Sequence, residues 1–356
     1  MDRKDGMNYM PQAKVEKVVE KNTFIIAAVG LDHGHIYCMT EGLVKAGATL
    51  KWVYDPDAQK VAKFLQTFPQ AKIADSEEQV LLDDEVVLVA SACIPSDRAP
   101  FGIRVMRSGK DYFVDKTPMV SLEQLEEVKA VCKETGKKYA VSYSERILSE
   151  AGVYAGYLID QGVIGKVLQV VGLGPHRLNA PSRPKWFFEK EKYGGILCDI
   201  GSHQIEQFLY YTGATDATLV NSSVSNYNHP QYPELEDFGD ANLIADNGAT
   251  CYFRVDWFTP EGLCTWGDGR TFILGTEGYI ELRKFVNVGV DARENHVYWV
   301  DQHGEHSECV DGKVGFPFFG EFILDCINRT ENAMTQEHAF KAVELCIKAQ
   351  SSARVI

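Results

Sequence analysis

Two residues that can move protons lie four positions apart in an apolar stretch near the middle of the chain. Asp199 and His203 stand in YGGILCDIGSHQIEQ, residues 193–207. Residues at i and i+4 share one face of a helix, so the carboxylate and the imidazole could meet. A carboxylate beside an imidazole orients the ring and favours its protonated form. The spacing predicts either a proton-handling pair or a polar helix start, with Asp199 as a cap and His203 as a satisfied buried histidine.

The composition is that of a globular protein with an acidic balance. A chain of 356 residues is long enough for two domains of about 100–200 residues each. Its hydrophobic content of 45% supports real cores. The net charge of −14 argues against nucleic acid and anionic membrane surfaces as partners. No apolar run approaches the ~20 residues of a membrane span.

Residues 1–22 are mostly polar and lack the apolar core of a signal peptide. We expect them to form an arm that packs on either domain or on a neighbouring subunit. The nine cysteines are scattered, with no CxxC pair and an odd total. This pattern favours free thiols in a reducing cytoplasm over a disulfide framework.

The first half of the chain alternates short apolar runs with helical patterns. Strands are predicted at 23–30, 49–55, 85–92, 111–116 and 137–143. Helices are predicted through Leu43 and Val44, and over 57–68, 99–109 and 121–136, the last one capped by Ser121 and ended by Gly136. This alternation predicts βαβ units and a doubly wound parallel sheet.

Ligands bind such sheets at the carboxyl ends of the strands, which directs attention to GLDHGH, residues 30–35. The usual dinucleotide fingerprint is G-x-G-x-x-G, and here Asp32 and His35 replace its second and third glycines. Gly34 still offers the backbone a close approach. Asp55 lies 25 residues after Gly30, at the end of the second strand. An acid there binds the ribose hydroxyls of NAD and repels a 2′-phosphate, although an Asp-Pro turn is the alternative explanation.

The second half changes character. It begins with a predicted helix over 150–165 and a long strand over 166–178. Strand-like segments follow at 217–227, 240–258, 270–284 and 295–301, and a final helix at about 335–354 is expected to pack back on the core. Consecutive strands separated by turn residues predict an α+β domain with a large, mostly antiparallel open sheet.

Several motifs occur in an order typical of one enzyme family. They are VYDPD, GKDYFVDKTP, GGILCDIGSHQIE and ILGTEGYIEL, followed by the C-terminal helix pattern. On these motifs the chain resembles the glucose–fructose oxidoreductase/inositol dehydrogenase (Gfo/Idh/MocA) family over nearly all of residues 23–356. The resemblance implies an NAD-binding Rossmann domain over 23–145 and a substrate and oligomerisation domain over 146–356. It also implies a homo-oligomer, either a dimer or a tetramer.

The resemblance assigns roles to three residues. His203 becomes the general base that takes the proton of a substrate hydroxyl. Lys116, reaching in from the Rossmann side of a domain cleft, stabilises the developing alkoxide, and Asp199 holds another hydroxyl or orients the imidazole; these roles could be exchanged among the three. Asp115-Lys116-Thr117 stands where the family has Glu-Lys-Pro, and the histidine common after the fourth strand is absent from IPSDRAPFG.

Further contacts are predicted around these residues. The cofactor-binding set is Gly30, Asp32, His33, Gly34, His35, Asp55, Ala92, Pro95 and Lys116. The candidate substrate contacts are Tyr143, Arg146, His176, Arg177 and Trp186, for each of which loop packing is the alternative. His33 and His35 could suggest a metal with another ligand, but a cofactor loop suits them better, and no metal is predicted.

We therefore expect an NAD-dependent oxidoreductase that acts on a secondary alcohol or ketone of a sugar, inositol or glycoside. NAD is expected over NADP because Asp55 would repel a ribose phosphate and YDPD offers no arginine to neutralise it. One alternative is a glycosidase that uses NAD transiently, through oxidation and elimination. Another is a non-catalytic nucleotide-binding sensor, against which Lys116, Asp199 and His203 argue, since a sensor needs no proton relay.

Overall fold

The computed structural model describes residues 3–356 and separates into two compact units. The parallel-sheet unit contains Val15–Ser142 and Phe316–Ala339, and the mixed-sheet unit contains Tyr143–Gly315, Phe340–Ile356 and the N-terminal residues up to Lys14. Both units are therefore discontinuous in sequence, whereas the predicted boundaries were contiguous at 1–22, 23–145 and 146–356. Residues 1–2 of the predicted arm lie outside the described residues.

Fifteen strands and twelve α-helices are present in residues 3–356. The strands are β1 Ile25–Val29, β2 Thr49–Tyr54, β3 Lys72–Ile73, β4 Val86–Ser91, β5 Asp111–Asp115, β6 Tyr139–Ser142, β7 Val167–Pro175, β8 Ala217–Ser225, β9 Phe238–Ala245, β10 Thr250–Asp256, β11 Arg270–Gly275, β12 Tyr279–Arg283, β13 His296–Asp301, β14 Gly304–Cys309 and β15 Arg354–Val355. The helices are α1 His35–Lys45, α2 Ala58–Thr67, α3 Glu77–Leu81, α4 Pro95–Arg107, α5 Leu122–Thr135, α6 Ser144–Ile147, α7 Glu150–Asp160, α8 Lys190–Tyr193, α9 Ile196–Asp199, α10 Gly201–Thr212, α11 Phe318–Asn328 and α12 Gln336–Ser351.

The parallel-sheet unit confirms the predicted doubly wound fold. Its six strands are all parallel, in the order β3-β2-β1-β4-β5-β6. The order reverses between β1 and β4, which is where such sheets bind ligands. Helix α5 begins and ends as predicted, because the Ser121 side chain accepts the Gln124 N–H and Gly136 takes a left-handed conformation. Helix α4 starts earlier than predicted, at Pro95, whose missing N–H costs nothing in a first turn.

A segment distant in sequence completes this unit. Helix α11 places Phe318 and Phe322 with their ring centres 5.8 and 5.2 Å from that of Phe113 in β5. The Phe319 ring packs against Gly42 of α1, where an added Cβ would lie 2.2 Å from it. These aromatic contacts explain why residues 316–339 belong to the parallel sheet although they follow the other unit in the chain.

The mixed-sheet unit contains the predicted large open sheet. Its nine strands run in the order β14-β13-β12-β11-β7-β10-β9-β8-β15, and the pairs β7–β10 and β8–β15 are parallel while the others are antiparallel. The predicted runs 240–258 and 270–284 each form two strands. Gly248, with a φ of 88°, lies in the first turn, and the backbone of Gly278 pairs with Gly275 in the second.

The last helix and the N-terminal residues also join this unit. The Gln350 side chain of α12 accepts the Leu197 N–H at 2.9 Å and lies where a side chain at Gly195 would stand. The Arg3 guanidinium donates to the carbonyl oxygens of Phe285 and Ala292 at 2.8 and 2.7 Å. In residues 3–356 no helix is long and apolar enough to span a bilayer.

Candidate functional site

The turn after β1 is built around a glycine. Gly30 has a φ of 76°, and an added Cβ would lie 2.7 Å from that of Cys93. Its N–H donates to the Tyr54 carbonyl and its carbonyl accepts the Ala92 N–H, each at 3.0 Å, while His33 N–H donates to the Ala92 carbonyl. The turn is therefore tied to the ends of β2 and β4, and only glycine satisfies both its conformation and its space.

Asp55 is held rigidly beside this turn. Its carboxylate, only 1% exposed, accepts the N–H groups of Leu31 at 2.7 Å and Asp57 at 2.9 Å. The glycine turn and this acid at the end of β2 together fit a dinucleotide, whose ribose hydroxyls are bound by an acid at this place. Pro95, also in the predicted cofactor set, is buried in the first turn of α4.

A lysine that the sequence analysis missed compensates the unusual aspartate of the turn. The Lys60 ammonium lies 2.6 Å from Asp32 Oδ1 and 3.7 Å from Asp55 Oδ1. An aspartate near a pyrophosphate is unfavourable by itself, so the ion pair removes part of the charge that the altered fingerprint introduces.

A buried cluster of charged and imidazole groups follows the turn. Asp115 Oδ1 lies 2.9 Å from His35 Nδ1, and Asp115 Oδ2 lies 3.5 Å from His33 Nδ1 and 3.1 Å from Arg98 Nη2. Burial raises the pKa of the Asp115 carboxyl, but the charges of His35 and Arg98 outweigh it and hold that pKa well below its usual value. Burial also lowers the pKa of His33 well below its usual value.

The ligand atoms of His33, His35 and Asp115 lie within 4.8 Å of one another, close enough to share a metal ion. The Arg98 guanidinium already pairs with the same carboxylate, however, and would repel a second cation. The arrangement therefore favours a hydrogen-bonded support of the turn over a metal centre, and the absence of a metal stays a prediction.

Arg98 is a second residue that sequence reasoning missed. Only 1% exposed, it donates from Nε to the Cys93 carbonyl at 2.7 Å and from Nη1 to the carbonyls of Asp115, Lys116 and Thr117. These carbonyls lie on both sides of the Lys116 side chain, and the Lys116–Thr117 peptide bond is cis. Arg98 thus holds the backbone from which the buried Lys116 side chain projects. The sequence feature that could have indicated Arg98 is the segment IPSDRAPFG, which contains it and lacks the expected histidine.

The Asp199–His203 stretch is formed by two helices that meet at one residue. Helix α9 ends at Asp199 and α10 begins at Gly201, and Ile200 between them keeps a right-handed helical conformation, with its N–H donating to the Ile196 carbonyl at 2.9 Å. Asp199 is half-buried and His203, in the first turn of α10, is only 2% exposed. That the Asp199 and His203 side chains act as a pair stays a prediction.

A buried charge network surrounds His203, centred on a carboxylate that sequence reasoning also missed. Glu145 Oε2 lies 2.8 Å from Lys284 Nζ and accepts from Gln204 Nε2 at 3.3 Å, and Oε1 lies 3.6 Å from His176 Nε2. Burial raises the pKa of Glu145, but the charges of Lys284, His203 and His176 hold it well below its usual value. Glu145 is therefore an ionised carboxylate whose negative charge interacts electrostatically with both imidazoles.

Two glycines of β7 make room for this network. A Cβ added at Gly172 would lie 2.1 Å from Gln204 Oε1, and one at Gly174 would lie 2.9 Å from Gln204 Nε2. The packing of the Gln204 amide therefore explains the two glycines of VVGLGP. The sequence alone did not indicate this reason.

Two of the predicted substrate contacts have guanidinium groups already engaged by the protein. Arg146 Nε donates to Glu206 Oε1 at 2.6 Å, and its guanidinium lies 3.9 Å from the Tyr210 ring centre. Arg177 donates to the carbonyl oxygens of Lys4, Pro260 and Leu263 at 2.8–2.9 Å. These bonds favour the packing alternative for both arginines.

The other three predicted contacts differ in accessibility. Tyr143 is fully buried and Trp186 nearly so. His176 is half-buried, and its ring centre lies 4.5 Å from that of Trp266 and 5.4 Å from that of Trp257. Of the five, His176 alone has a partly exposed side chain in direct proximity to Glu145.

Comparison with known families agrees with this division. Residues 27–143 match the model of an oxidoreductase family with an NAD-binding Rossmann fold. Residues 154–281 match the GFO/IDH/MocA C-terminal domain. Together the two matches cover most of the chain.

Individual proteins are similar over long stretches. A crystal structure of a protein described as an oxidoreductase, from Erwinia carotovora atroseptica SCRI1043, is 51% identical with a TM-score of 0.91, covering 94% of this chain and 100% of that one. An oxidoreductase of Streptococcus pneumoniae is 27% identical over 284 residues, 76% of this chain and 74% of its own. The scyllo-inositol 2-dehydrogenase (NAD(+)) of Bacillus subtilis is 28% identical over 239 residues, 66% of each chain.

Proposed function

Because the chain belongs to the Gfo/Idh/MocA family of NAD-binding oxidoreductases, we propose that it oxidises a secondary alcohol of a sugar, inositol or glycoside, or reduces the corresponding ketone. The observation that carries this proposal is the glycine turn of the NAD-binding Rossmann fold with Asp55 beside it, in a chain whose C-terminal family domain contains the buried His203. The similarity to an inositol dehydrogenase supports the substrate class.

The proposed chemistry divides the work between a cofactor and protein side chains. A bound nicotinamide supplies a hydride acceptor or donor. His203 takes the proton of the substrate hydroxyl, because the nearby negative charge of Glu145 stabilises the imidazolium that results. Asp199 binds a neighbouring hydroxyl or orients the ring.

Lys116 is assigned to the stabilisation of negative charge on the reacting oxygen. It follows β5 at the carboxyl edge of the parallel sheet, and Arg98 fixes the carbonyl groups around it. A preorganised donor of this kind acts where charge develops in the transition state. We therefore assign Arg98 as the residue that positions Lys116.

We propose NAD rather than NADP as the preferred cofactor. Lys60 is a cation near Asp55 that the motif YDPD did not reveal. It is opposed by two carboxylates, Asp55 and Asp32, so the local charge still disfavours a 2′-phosphate. The hydrogen bonds that join Gly30 and His33 to Ala92, the residue after β4, support the assignment of this turn to the cofactor.

Among the predicted substrate contacts, we propose His176 as the one that faces the substrate. Tyr143, Arg146, Arg177 and Trp186 are buried, and we propose that they shape the site from behind. This assignment follows from burial, because His176 is half-buried whereas the other four are buried; its Nδ1 lies 3.1 Å from the Gly174 carbonyl oxygen.

We also propose a homo-oligomer formed through the open sheet. Ile244, Phe272, Leu274 and Tyr279 are 39–48% exposed, and cross-strand pairing places Leu274 directly opposite Tyr279. Exposed apolar residues grouped on one sheet are typical of an interaction surface. Sedimentation analysis of the wild-type protein measures the oligomeric state, and a monomer at micromolar concentration would contradict this proposal.

The decisive experiment incubates the protein with NAD and, in parallel, NADP, against a panel of inositols, aldoses, sugar acids and glycosides. NADH formation with one or more alcohols is the expected result. Release of an aglycone without net NADH would instead identify the transient-oxidation glycosidase. Tight NAD binding without turnover on any of these compounds would favour the sensor.

A further inference from the structure

One half-buried arginine of the mixed-sheet unit differs in its surroundings from the buried arginines of the chain. The Arg183 guanidinium lies 4.6 Å from the Phe187 ring centre and 5.1 Å from that of Trp257. Its Nε donates to the Leu178 carbonyl at 2.9 Å and its Nη2 to the Arg177 carbonyl at 3.4 Å. Two aromatic faces and two carbonyl groups therefore hold a half-buried cation in a fixed orientation.

The charge of Arg183 has no close counter-ion within the described chain. Across residues 3–356 no carboxylate oxygen lies within 4.0 Å of its guanidinium. Arg98 and Arg146, by contrast, lie 3.1 and 2.5 Å from Asp115 and Glu206. Removing a cation from water without a partner is costly, so Arg183 is a place where a bound anion would be stabilised.

The pKa of Arg183 agrees with this geometry. Burial lowers the pKa of the guanidinium, and the charges of Asp5 and Asp199 raise it but do not compensate. Asp199, one of the proposed substrate-binding groups, is thus close enough to act on Arg183.

Aromatic contacts link Arg183 to the proton-transfer groups of the same unit. The Trp257 ring contacts the Arg183 guanidinium on one side and lies 5.4 Å from the His176 ring. His176 in turn lies 3.6 Å from Glu145, which acts on His203. The cation consequently borders the region assigned to the substrate.

We propose that Arg183 binds a carboxylate of the substrate, so that the oxidised alcohol belongs to a sugar acid such as a uronate or an aldonate. This rests on the proposed function only for the alcohol chemistry. The guanidinium fork matches a carboxylate in two parallel hydrogen bonds. The nearby Asp5 and Asp199 charges favour a singly charged group over a phosphate dianion.

The test measures binding by calorimetry, with and without saturating NADH. D-glucuronate, D-galacturonate and D-gluconate are compared with D-glucose and D-galactose, and glucose 6-phosphate forms a third arm. We expect at least one carboxylate to bind the wild-type protein about tenfold or more tightly than its neutral counterpart. Arg183→Gln should abolish this preference, and Arg183→Lys should keep part of it, because an ammonium keeps the charge but loses the fork.

A matched control removes the same charge elsewhere. Arg293→Gln breaks an exposed ion pair with Asp291 and should keep the preference for carboxylates. Circular dichroism checks that each variant is folded, and if Arg183→Gln is not, the Arg183→Lys result decides.

The outcomes separate this inference from the proposed function. Oxidation of the acidic sugars at the same rate in wild type and Arg183→Gln would overturn the inference and leave the function intact. Binding of a carboxylate that depends on Arg183, without NADH formation from any sugar, would support the anion subsite and contradict the function. Three further outcomes would each overturn the inference. They are equal affinity for acidic and neutral sugars, tighter binding of the phosphate, and no binding at about 10 mM, the weakest affinity a substrate subsite would have.

Discussion

Each unit contains one buried carboxylate that faces a cation and two histidines, yet the two clusters are arranged for different work. Asp115 makes a 2.9 Å hydrogen bond with the His35 imidazole and pairs with Arg98. The shortest contacts of Glu145 are instead with Lys284 and Gln204, and its Oε1 lies 3.6 Å from His176 Nε2.

The same residue types can hold a turn in place or support proton transfer, depending on which of them share the shortest contacts. An imidazole that is hydrogen-bonded directly to a carboxylate is fixed in place. An arginine that holds the backbone beside the carboxylate makes the arrangement more rigid, which suits the support of a turn. In the other cluster the Glu145 carboxylate pairs with the Lys284 ammonium, and the His176 imidazole lies farther from it. Proton transfer is assigned to the Glu145 cluster because its charge acts on His203, the proposed base.

The largest effect expected from this comparison concerns His203. His203→Ala should lower kcat by about 10²–10⁴-fold, because general base catalysis is lost, while the Kd for NAD changes little. Steady-state kinetics and cofactor titration measure both quantities. The matched control is His229→Ala, which removes an imidazole bonded to Asp237 at 2.8 Å in the same unit and should leave kcat near wild type. If a folded His203→Ala protein turns over at the wild-type rate, His203 is not the base and serves only in helix packing.

The next effect tests the two carboxylates as buried charges. Glu145→Gln leaves the fully buried Lys284 without its counter-ion, and Asp115→Asn does the same to Arg98. Each should lower the free energy of unfolding by about 3–5 kcal/mol, measured by urea denaturation. The double variant Glu145→Gln/Lys284→Met should recover part of the loss. A loss below about 1 kcal/mol for either single variant would show that its cluster is not a tight ion pair.

A smaller effect is expected at the cofactor end of the parallel-sheet unit. Asp55→Ala should weaken NAD binding by about tenfold, the worth of a hydrogen bond to a charged group, and should spare turnover at saturating NAD. Asp57→Ala is the control, since this carboxylate, two residues away, caps α2 through the Gln59 N–H and should cost only stability. Stronger binding of NADP than of NAD to the wild-type protein would contradict the assignment of Asp55.

The smallest effect separates the clusters by pH. The negative charge of Glu145 raises the pKa of a nearby imidazole, so its removal lowers that pKa. The deprotonated base then persists to lower pH, and the acid limb of kcat/KM in Glu145→Gln should move down by up to about one pH unit. Asp115→Asn should leave that limb in place. An acid limb that moves upward, or that moves equally in both variants, would refute the assignment of Glu145.

The sequence alone determined the features that depend on near neighbours in the chain. Apolar runs ending in glycine or an acid predicted β1 and β2, and the N-cap Ser121 and the C-terminal Gly136 bounded α5, because strands and helix ends are specified by local hydrophobicity and local hydrogen bonds. The same reasoning indicated the left-handed Gly30 turn and Asp55 at the end of β2; the role of His203 stays a prediction.

Contacts between groups that are distant in the chain follow from the tertiary structure. Glu145 and Lys284 are 139 residues apart, and the Phe319 ring that fills the space above Gly42 comes from the far end of the chain. Neither pair leaves a periodic signal, because a buried ion pair or an aromatic contact is selected by three-dimensional packing and charge balance. The surroundings of Arg183 belong to the same class, because they depend on which groups the fold brings within a few ångströms of its guanidinium.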